Sequence, residues 1–418
     1  MTHLPSDVRE ELTRYVPQLV VEARDDTVGL LGYVVIDSTV DARSCGGLRC
    51  DLHVSPDQLK ALARGMTLKY GFNGMRQGGA KAGIVADAEL PQEEKAHLLR
   101  RFGELIASIL RTQLYISGPD MSISPADIDV LNHAAGVRVP RLRRDKGLKS
   151  GLFTALGVMV ALEAAAEARG MSLRGRTVAI EGFGSVGGAL ASLLTKRHGA
   201  RIVAVSTSLG ALYDEGGLDI ERLLDLRSRF GNSAVLHYPG GERISPAELP
   251  FLEVDVLSPC AGQYTITREN ADAVKAQIVC PGANNPVSDA AEVRLLERGI
   301  SSVPYFAANG GGVLGNKLEV LGVSDRYVEE FIRTKNHERI RRLMVRAHES
   351  GSSARLAAET YALQRVAEMR AVVQRQTIRR ALQKGALRVV NSGLLHPNLL
   401  RPLAPRYFAL TMGRDPAL

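Results

Sequence analysis

A glycine-rich segment that joins an apolar run to a helical pattern most strongly restricts how this chain can fold. Residues 177–181 read as a strand, Gly182-Phe-Gly-Ser-Val-Gly187 follows at once, and a helical pattern continues to about Arg197. In that setting the backbone N–H groups at the start of the helix can bind a pyrophosphate. The alternative is a strand-to-helix turn that binds nothing. The setting favours a dinucleotide site.

Further short apolar runs alternate with helical patterns around this segment. The runs occupy residues 201–205, 254–257, 276–279 and 301–304, and an alanine-rich helical pattern at residues 154–169 precedes the glycines. Alternation of strands with helices predicts a parallel, doubly wound α/β sheet of the Rossmann type.

The amino-terminal part of the chain also mixes helices and strands, which predicts a separate α/β domain. Helical patterns occupy residues 8–23, 55–70 and 91–111, and strand patterns occupy residues 29–36, 48–54 and 113–117. Because 418 residues exceed the usual size of one domain, we expect two. The predicted segments of the chain are 1–145, 146–325, 326–375 and 376–418.

Two lysines flank a glycine-rich stretch in the amino-terminal part. Lys69 closes an apolar-periodic helix, and Lys81 follows Gly78-Gly79 in a run too rich in glycine to be helical. The two ammonium groups are therefore expected to converge on one cleft from different elements, as a carboxylate-bearing substrate requires. A lysine packed near glycine backbone loses solvent, which lowers its pKa towards the range of a useful acid or base. The alternative is a pair of solvated surface lysines.

Four motifs in the same order resemble those of the glutamate/leucine/phenylalanine/valine dehydrogenase family. They are the lysine pair with Gly78-Gly-Ala-Lys-Ala-Gly-Ile84, Gly118-Pro-Asp-Met-Ser122, Gly182-Phe-Gly-Ser-Val-Gly187, and Pro281-Gly-Ala-Asn-Asn-Pro286 followed by Ala308-Asn-Gly-Gly-Gly-Val313. The resemblance covers roughly residues 25 to 370. It implies that residues 1–145 form a substrate and oligomerisation domain, that residues 146–325 form an NAD(P)-binding domain, and that the helices of 326–375 return to brace the first domain.

The resemblance implies a reaction and a set of roles. Family members oxidise an L-amino acid reversibly to a 2-oxo acid and ammonia with NAD or NADP, in a cleft that closes between two domains. Carried over by position, Lys69 pairs with the substrate α-carboxylate, Lys81 polarises the attacking water, and Asp120 moves protons to and from the amine. Without the lysines, Asp120 reads as a turn aspartate after Pro119.

The same resemblance implies the cofactor-binding positions. The expected contacts are Gly182, Gly184, Ser185, Val186 and Gly187 at the pyrophosphate, Ser206 and Thr207 after the second strand, and Thr154, Ala283, Asn284, Asn285 and Asn309 near the nicotinamide. An NAD enzyme usually ends its second strand with an acid that binds the ribose 2′-OH. Here Ser206-Thr207-Ser208 offers hydroxyls only, so we expect NADP to be accepted.

The expected substrate pocket is uncharged. Glutamate-specific relatives place a lysine before the Gly-Gly-Leu-Arg turn, whereas Cys45 precedes Gly46-Gly-Leu-Arg49 here. Asn316 stands where those relatives carry a serine for the same carboxylate. The predicted floor of the pocket is Cys45, Gly118, Val313 and Asn316. We therefore expect an uncharged side chain on the substrate rather than glutamate, unless Lys317 points inward and replaces the missing cation.

Charge and cysteine content restrict partners and location. The chain carries +8, but seven basic residues face one acid, Asp415, in the last segment, so the body is close to neutral. The seven are Arg379, Arg380, Lys384, Arg388, Arg401, Arg406 and Arg414. We expect no nucleic-acid or membrane partner, and a tail drawn to an acidic patch of a neighbouring subunit in a homo-oligomer. Four scattered cysteines predict no metal site, no disulfide framework and a reducing cytoplasm.

A non-catalytic relative is the alternative to the enzyme. It would retain dinucleotide binding for regulation or scaffolding, because a fold alone never establishes activity. The basic extension and the departures from the family pattern favour this alternative, whereas the intact set of Lys69, Lys81 and Asp120 favours an enzyme.

Overall fold

The computed structural model describes Ser6 and residues 14–137, 149–320 and 324–375, which form two compact units. Of these ranges, residues 14–137 and 361–375 belong to the first unit, and residues 149–320 and 324–360 belong to the second. The predicted boundary at residues 145–146 and the basic extension lie outside the described residues. The four-segment division of the chain stays a prediction.

The first unit contains a mixed five-stranded sheet in the order β1-β2-β4-β3-β5. Its strands are β1 (Leu19–Asp25), β2 (Leu30–Ile36), β3 (Ser44–Cys50), β4 (Gly78–Ile84) and β5 (Tyr115–Pro119). β1, β2 and β4 pair antiparallel, whereas β3 runs parallel to both β4 and β5. Every residue of the central strand β4 is buried.

Helices cover this sheet. They are α1 (Pro56–Phe72), α2 (Gln92–Leu105), α3 (Ala107–Arg111) and α4 (Pro125–Ala134). The side chain of Ser55 caps α1 by accepting from the N–H of Gln58, and Pro56 occupies the first turn, where it removes no needed donor. Buried apolar residues such as Val34, Leu48 and Phe102 form the core of the unit. Residues of β4 belong to this core, whereas α1 packs through Leu59, Leu62 and Ala63 in a second cluster.

The second unit contains a seven-stranded sheet in the order β12-β11-β10-β6-β7-β8-β9. Its strands are β6 (Thr177–Glu181), β7 (Arg201–Thr207), β8 (Gly210–Tyr213), β9 (Glu242–Ile244), β10 (Val256–Pro259), β11 (Ile278–Val279) and β12 (Ser301–Ser302). β8 and β9 pair antiparallel, and the other neighbours pair parallel. The strand order reverses between β6 and β10, which is where ligands bind in sheets of this kind.

The helices of the second unit include a long apolar core helix. In chain order they are α5 (Ser150–Ala168), α6 (Ser185–His198), α7 (Ile220–Phe230), α8 (Ala234–His237), α9 (Asp289–Glu297), α10 (Tyr305–Ala308), α11 (Gly311–Val320), α12 (Asp325–Phe331), α13 (His337–Ser350) and α14 (Ala354–Arg375), which continues into the first unit. A π-helical stretch, Ile332–Asn336, joins α12 to α13. Among the described helices, α5 has the length and composition to cross a membrane, but 67% of its apolar stretch is buried and a core helix meets the same criteria.

The predicted fold class is confirmed, whereas several elements differ from the prediction. The helix predicted at residues 8–23 is wrong over residues 14–23, because residues 14–18 are not helical and residues 19–23 belong to β1, which pairs along its length with β2; residues 8–13 lie outside the described part. The strand predicted at 48–54 ends at Cys50, because the Asp51 side chain accepts from the N–H of His53, 2.7 Å away, and closes a turn. The strands β4, β8 and β9 were not predicted.

The glycines of β4 explain why sequence patterns missed it. A Cβ atom on Gly78 would lie 1.9 Å from the carbonyl oxygen of Ser38, and one on Gly79 would lie 2.2 Å from the backbone nitrogen of Thr67. Neighbouring backbone therefore approaches this strand too closely for side chains. Glycine fills that need but weakens the usual strand signal, which relies on β-branched and aromatic residues.

Candidate active site

The first unit brings Lys69, Lys81 and Asp120 together from three elements. Lys69 lies in the last turn of α1, Lys81 on the central strand β4, and Asp120 directly after β5. Both lysines are buried, with relative exposures of 6% and 3%. The alternative of two solvated surface lysines is therefore wrong.

Asp120 is the centre of a buried ion network. Its Oδ2 atom lies 2.8 Å from Nζ of Lys81 and 2.9 Å from Nε of Arg49. Arg49 lies in β3 and is buried as well. Sequence reasoning did not select Arg49 as a site residue, and it treated Gly46-Gly-Leu-Arg49 as a turn, whereas this segment lies inside β3.

The environment shifts the pKa values of all three groups. Burial, aided by repulsion from Lys81 and opposed by Asp120, lowers the pKa of Lys69 from 10.5 to about 7. Burial also lowers the pKa of Lys81, while attraction from Asp120 opposes the shift. Burial alone would raise the pKa of Asp120, but Lys81 and Arg49 lower it overall. The site thus holds an ionised carboxylate beside lysines that lose protons readily.

Two glycines of β3 allow the strand to pass beside this network. A Cβ atom on Gly46 would lie 1.6 Å from the carbonyl oxygen of Ala80, and one on Gly47 would lie 2.7 Å from Cβ of Asp120. The Tyr115 hydroxyl, buried beneath them, donates to the carbonyl oxygen of Gly46 at 3.2 Å. Burial raises the pKa of Tyr115 well above 10, so the phenol stays neutral.

The positions predicted to floor the substrate pocket occur in both units. Cys45 is half-buried on β3 and pairs with Ile116, and a Cβ atom on Gly118 would meet only the Gly46 carbonyl oxygen, at 4.0 Å. Val313 and Asn316 lie on α11 of the second unit. The side-chain oxygen of Asn316 is buried and has no hydrogen-bond partner among the described residues. The side chain of Lys317 lies outside the described part of the chain.

The glycine segment of the second unit forms the predicted strand-to-helix turn. Gly182 has a φ of +89°, and a Cβ atom there would lie 2.8 Å from Ala261. A Cβ atom on Gly187 would lie 2.0 Å from the carbonyl oxygen of Gly182. Gly184 begins α6 without a side-chain cap, and a Cβ atom there would touch nothing. The segment therefore leaves Ser185, Val186 and Gly187 to present N–H groups at the helix end, as a pyrophosphate requires.

The hydroxyl groups at the carboxyl end of β7 are already engaged. Ser206 Oγ accepts from the N–H of Gly182 at 2.9 Å, and Thr207 Oγ1 donates to the carbonyl oxygen of Asn232 at 2.8 Å. Ser208 is exposed, and its hydroxyl bonds to the Asn232 side chain at 3.2 Å. The carboxyl end of β7 thus carries hydroxyl and amide groups, and residues 206–208 include no acid.

Most positions predicted near the nicotinamide form one loop cluster, whereas Thr154 lies in α5. The Asn309 side chain donates to the carbonyl oxygen of Ala283 at 2.9 Å and to Oδ1 of Asn284 at 3.0 Å. Asn285 is buried with a φ of +49°, a backbone conformation that asparagine tolerates. Thr154 Oγ1 donates to the carbonyl oxygen of Ser150 at 2.8 Å, so only its acceptor capacity is left for a ligand. Asn309 acts here by holding the loop.

A half-buried acid precedes the glycine segment, and sequence reasoning missed it. Glu181 ends β6, and Thr265 Oγ1 lies 3.0 Å from each of its carboxylate oxygens. Burial raises the pKa of Glu181 from 4.5 to about 7, while the bond from Thr265 opposes the shift. A charged residue at the end of an otherwise apolar strand was the available signal.

Comparison with protein families gives two matches. Residues 15–135 match the model of the Glu/Leu/Phe/Val dehydrogenase dimerisation domain. Residues 149–373 match the model of glutamate/leucine/phenylalanine/valine dehydrogenase. Together the two models span both units of the structure.

Individual relatives agree with the family match. A NAD-specific glutamate dehydrogenase of Staphylococcus aureus is 34% identical over 86% of this chain and 91% of its own length. A glutamate dehydrogenase of Aeropyrum pernix is 36% identical over 66% of this chain and 68% of its own length.

Solved structures share the same architecture. A hetero-hexameric glutamate dehydrogenase from Thermus thermophilus, in a leucine-bound form, superposes with a TM-score of 0.73 at 28% identity, covering 87% of this chain and 94% of its own. An L-tryptophan dehydrogenase from Nostoc punctiforme superposes with a TM-score of 0.61 at 23% identity, covering 87% and 99%. The second likeness concerns the fold alone.

Proposed function

The chain belongs to the glutamate/leucine/phenylalanine/valine dehydrogenase family, and we propose that its substrate is an L-amino acid with an uncharged side chain rather than glutamate. Members of this family are oxidoreductases that act on CH–NH2 donors with NAD(P) and catalyse reversible oxidative deamination. The predicted enzyme class and cofactor class are therefore confirmed. The identity of the side chain is the part that we propose.

The absence of a cation at Cys45 carries this proposal. In the family pattern a lysine at this position meets the side-chain carboxylate of glutamate, and here a half-buried thiol replaces it. A buried carboxylate without a cationic partner costs several kcal/mol, whereas an aliphatic, aromatic or neutral polar group does not. The relatives named glutamate dehydrogenase favour glutamate as the substrate. The decisive measurement is therefore the activity towards glutamate relative to that towards amino acids with uncharged side chains.

Asn316 supplies a separate argument for a neutral substrate. Its side chain is an amide where the family pattern for glutamate has a serine, and its buried oxygen accepts no hydrogen bond within the described residues. An unpaired buried carbonyl oxygen repels a carboxylate and attracts a donor. A substrate side chain that is apolar or carries an N–H or O–H donor suits this position.

We assign the chemistry to the buried network of the first unit. Lys69 binds the α-carboxylate of the substrate and so fixes the orientation of Cα. Lys81, whose pKa is lowered by burial, holds the water that attacks the imine carbon, and Asp120 accepts and returns the proton of the amine. Arg49 positions Asp120 and keeps it ionised.

The residues of the second unit fit a dinucleotide. The uncapped start of α6 provides N–H donors for the pyrophosphate, and Gly184 leaves room beside them. Ser206 and Thr207 shape the site at the end of β7, and Asn309 holds the loop of residues 282–284. NAD(P)⁺, when bound, supplies the hydride-accepting ring. The match to a dimerisation domain supports the proposal of a homo-oligomer.

Steady-state assays at 340 nm test the proposal. We expect a panel of L-amino acids to give a kcat/KM for leucine, phenylalanine or glutamine above that for glutamate. A kcat/KM for glutamate above all three would contradict the proposed substrate class. The non-catalytic alternative requires no turnover with any amino acid or 2-oxo acid, despite measurable NADH binding.

A further inference from the structure

Glu181 lies at the point where the sheet of the second unit changes direction. It is the last residue of β6, and its register partner is Pro259 at the end of β10. The strand order reverses between these two strands, and the crevice at their carboxyl ends is where such sheets bind ligands. Gly182, the first residue of the pyrophosphate turn, follows Glu181 directly.

The carboxyl group of Glu181 is held by neutral partners. Both oxygens lie 3.0 Å from Oγ1 of Thr265, which belongs to the loop after β10. Among the described residues, no lysine, arginine or histidine forms an ion pair with it. Burial without a cation raises the pKa of Glu181 to about 7. Glu181 therefore changes charge near neutrality.

The surrounding elements do not supply another group that titrates in this range. From the end of β10, the Cys260 thiol faces Glu181, and burial raises its pKa to about 12, so it stays neutral. β7 contributes Ser206, and the first turn of α6 contains no acid. Farther along the loop, Arg268 and Glu269 are exposed.

A bound dinucleotide brings two negative charges to the start of α6. An ionised Glu181 at the residue before this turn repels them, and a protonated Glu181 does not. The dinucleotide therefore binds better to the protonated form.

We propose that Glu181 couples dinucleotide binding to the uptake of a proton at its own carboxyl group, so that affinity for NADH falls as the solution becomes alkaline. Glu181 is thus a residue that sets cofactor affinity without taking part in hydride transfer.

Fluorescence titration with NADH between about pH 6 and 9 tests the proposal, because the charge of NADH does not change in this range. For the wild type we expect the Kd to rise about tenfold across the range, which corresponds to a coupling of about one pKa unit. Glu181→Gln keeps the size of the side chain and removes the charge, and it should bind NADH tightly with a flat pH profile. Glu253→Gln, at an exposed position before β10, should retain the wild-type profile.

Calorimetry of the wild-type enzyme provides a test that needs no variant. NADH titrated near pH 7.5 in two buffers of different ionisation enthalpy should reveal proton uptake on binding, of about half a proton per site for a coupling of about one pKa unit. A pH-independent Kd, or an unchanged slope in Glu181→Gln, would overturn the proposal while leaving cofactor binding intact. Absence of NADH binding at every pH would contradict both the proposal and the family's cofactor.

Discussion

Lys81 and Asp120 form a buried ion pair with 2.8 Å between Nζ and Oδ2, and Arg49 shares the same carboxylate oxygen. One carboxylate therefore serves two cations, and Lys69 is a third basic group nearby, with its pKa lowered to about 7. A buried surplus of basic groups over acids is costly unless an anion joins it. The α-carboxylate of an amino acid completes the balance of charge.

Lys81→Ala should abolish turnover and spare cofactor binding. We expect kcat to fall at least about 100-fold, because general acid–base groups typically contribute that much. Lys60→Ala, which changes a half-buried lysine of the same unit that pairs with Asp57, is the control and should keep wild-type kcat. NADH binding should be unchanged in both variants. Retention of more than about a tenth of wild-type kcat by Lys81→Ala would refute the role of Lys81.

Binding of a 2-oxo acid should weaken as pH rises above about 7. In the free enzyme the pKa of Lys69 is about 7, so at higher pH the lysine is neutral and must take up a proton before it can pair with a carboxylate. The expected slope approaches tenfold in Kd per pH unit. Isothermal titration with a non-reactive carboxylate analogue measures it, and Lys69→Met should remove both the affinity and the slope. A slope that persists in Lys69→Met would assign the titration to another group.

Cys45→Lys should raise activity towards glutamate. The substitution restores the cation of the glutamate pattern next to the buried network, and we expect kcat/KM for glutamate to increase at least about tenfold, the value of a modest charge pair. Cys45→Met has a long side chain without charge and serves as the matched control. An equal gain in Cys45→Met would show that size rather than charge limits glutamate.

Ser208→Asp should select against NADP. The exposed hydroxyl of Ser208 lies at the edge where an acid usually binds the ribose 2′-OH, and a carboxylate there repels a 2′-phosphate. We expect kcat/KM for NADP⁺ to fall at least about tenfold with little change for NAD⁺, and Ser208→Asn to change neither. A wild-type preference for NAD⁺ above about 100-fold would show that discrimination arises elsewhere.

Glu181→Gln should stabilise the enzyme at alkaline pH. Because the folded-state pKa is raised from 4.5 to about 7, the stability that the protonated acid provides is complete below pH 4.5 and is lost as pH rises to 7. Above pH 7 the free energy of unfolding of the wild type is thus lower by about 3 kcal/mol than below pH 4.5. The neutral glutamine does not ionise, so the variant does not undergo this loss. Urea unfolding at pH 8.5 should show this difference, and at pH 4.5 the two proteins should match. A pH-independent difference would mean that packing rather than ionisation separates them.

Features of this structure that depend on neighbouring residues could be predicted from the sequence, whereas features that depend on distant contacts could not. The strand before Gly182 and the cap at Ser55 depend on neighbouring residues, and both were predicted correctly. β1 depends on pairing with β2, and β4 depends on backbone that approaches from Ser38 and Thr67, so neither gives a local signal. Arg49 and Glu181 were missed because their partners, Asp120 and Thr265, lie more than seventy residues away in sequence, so the sequence does not show what either side chain contacts.

The glycines around the site also determine which positions can vary. Gly46 and Gly47 lie against backbone and against Asp120, so any larger residue there displaces the catalytic network. Gly118, on the neighbouring strand, has open space in the direction of a side chain. Under selection for a new substrate, Cys45 and Gly118 are therefore free to change, while Gly46 and Gly47 are held constant. Enzymes of this fold that act on different substrates are therefore expected to differ at these two positions, which lie on the adjacent strands β3 and β5.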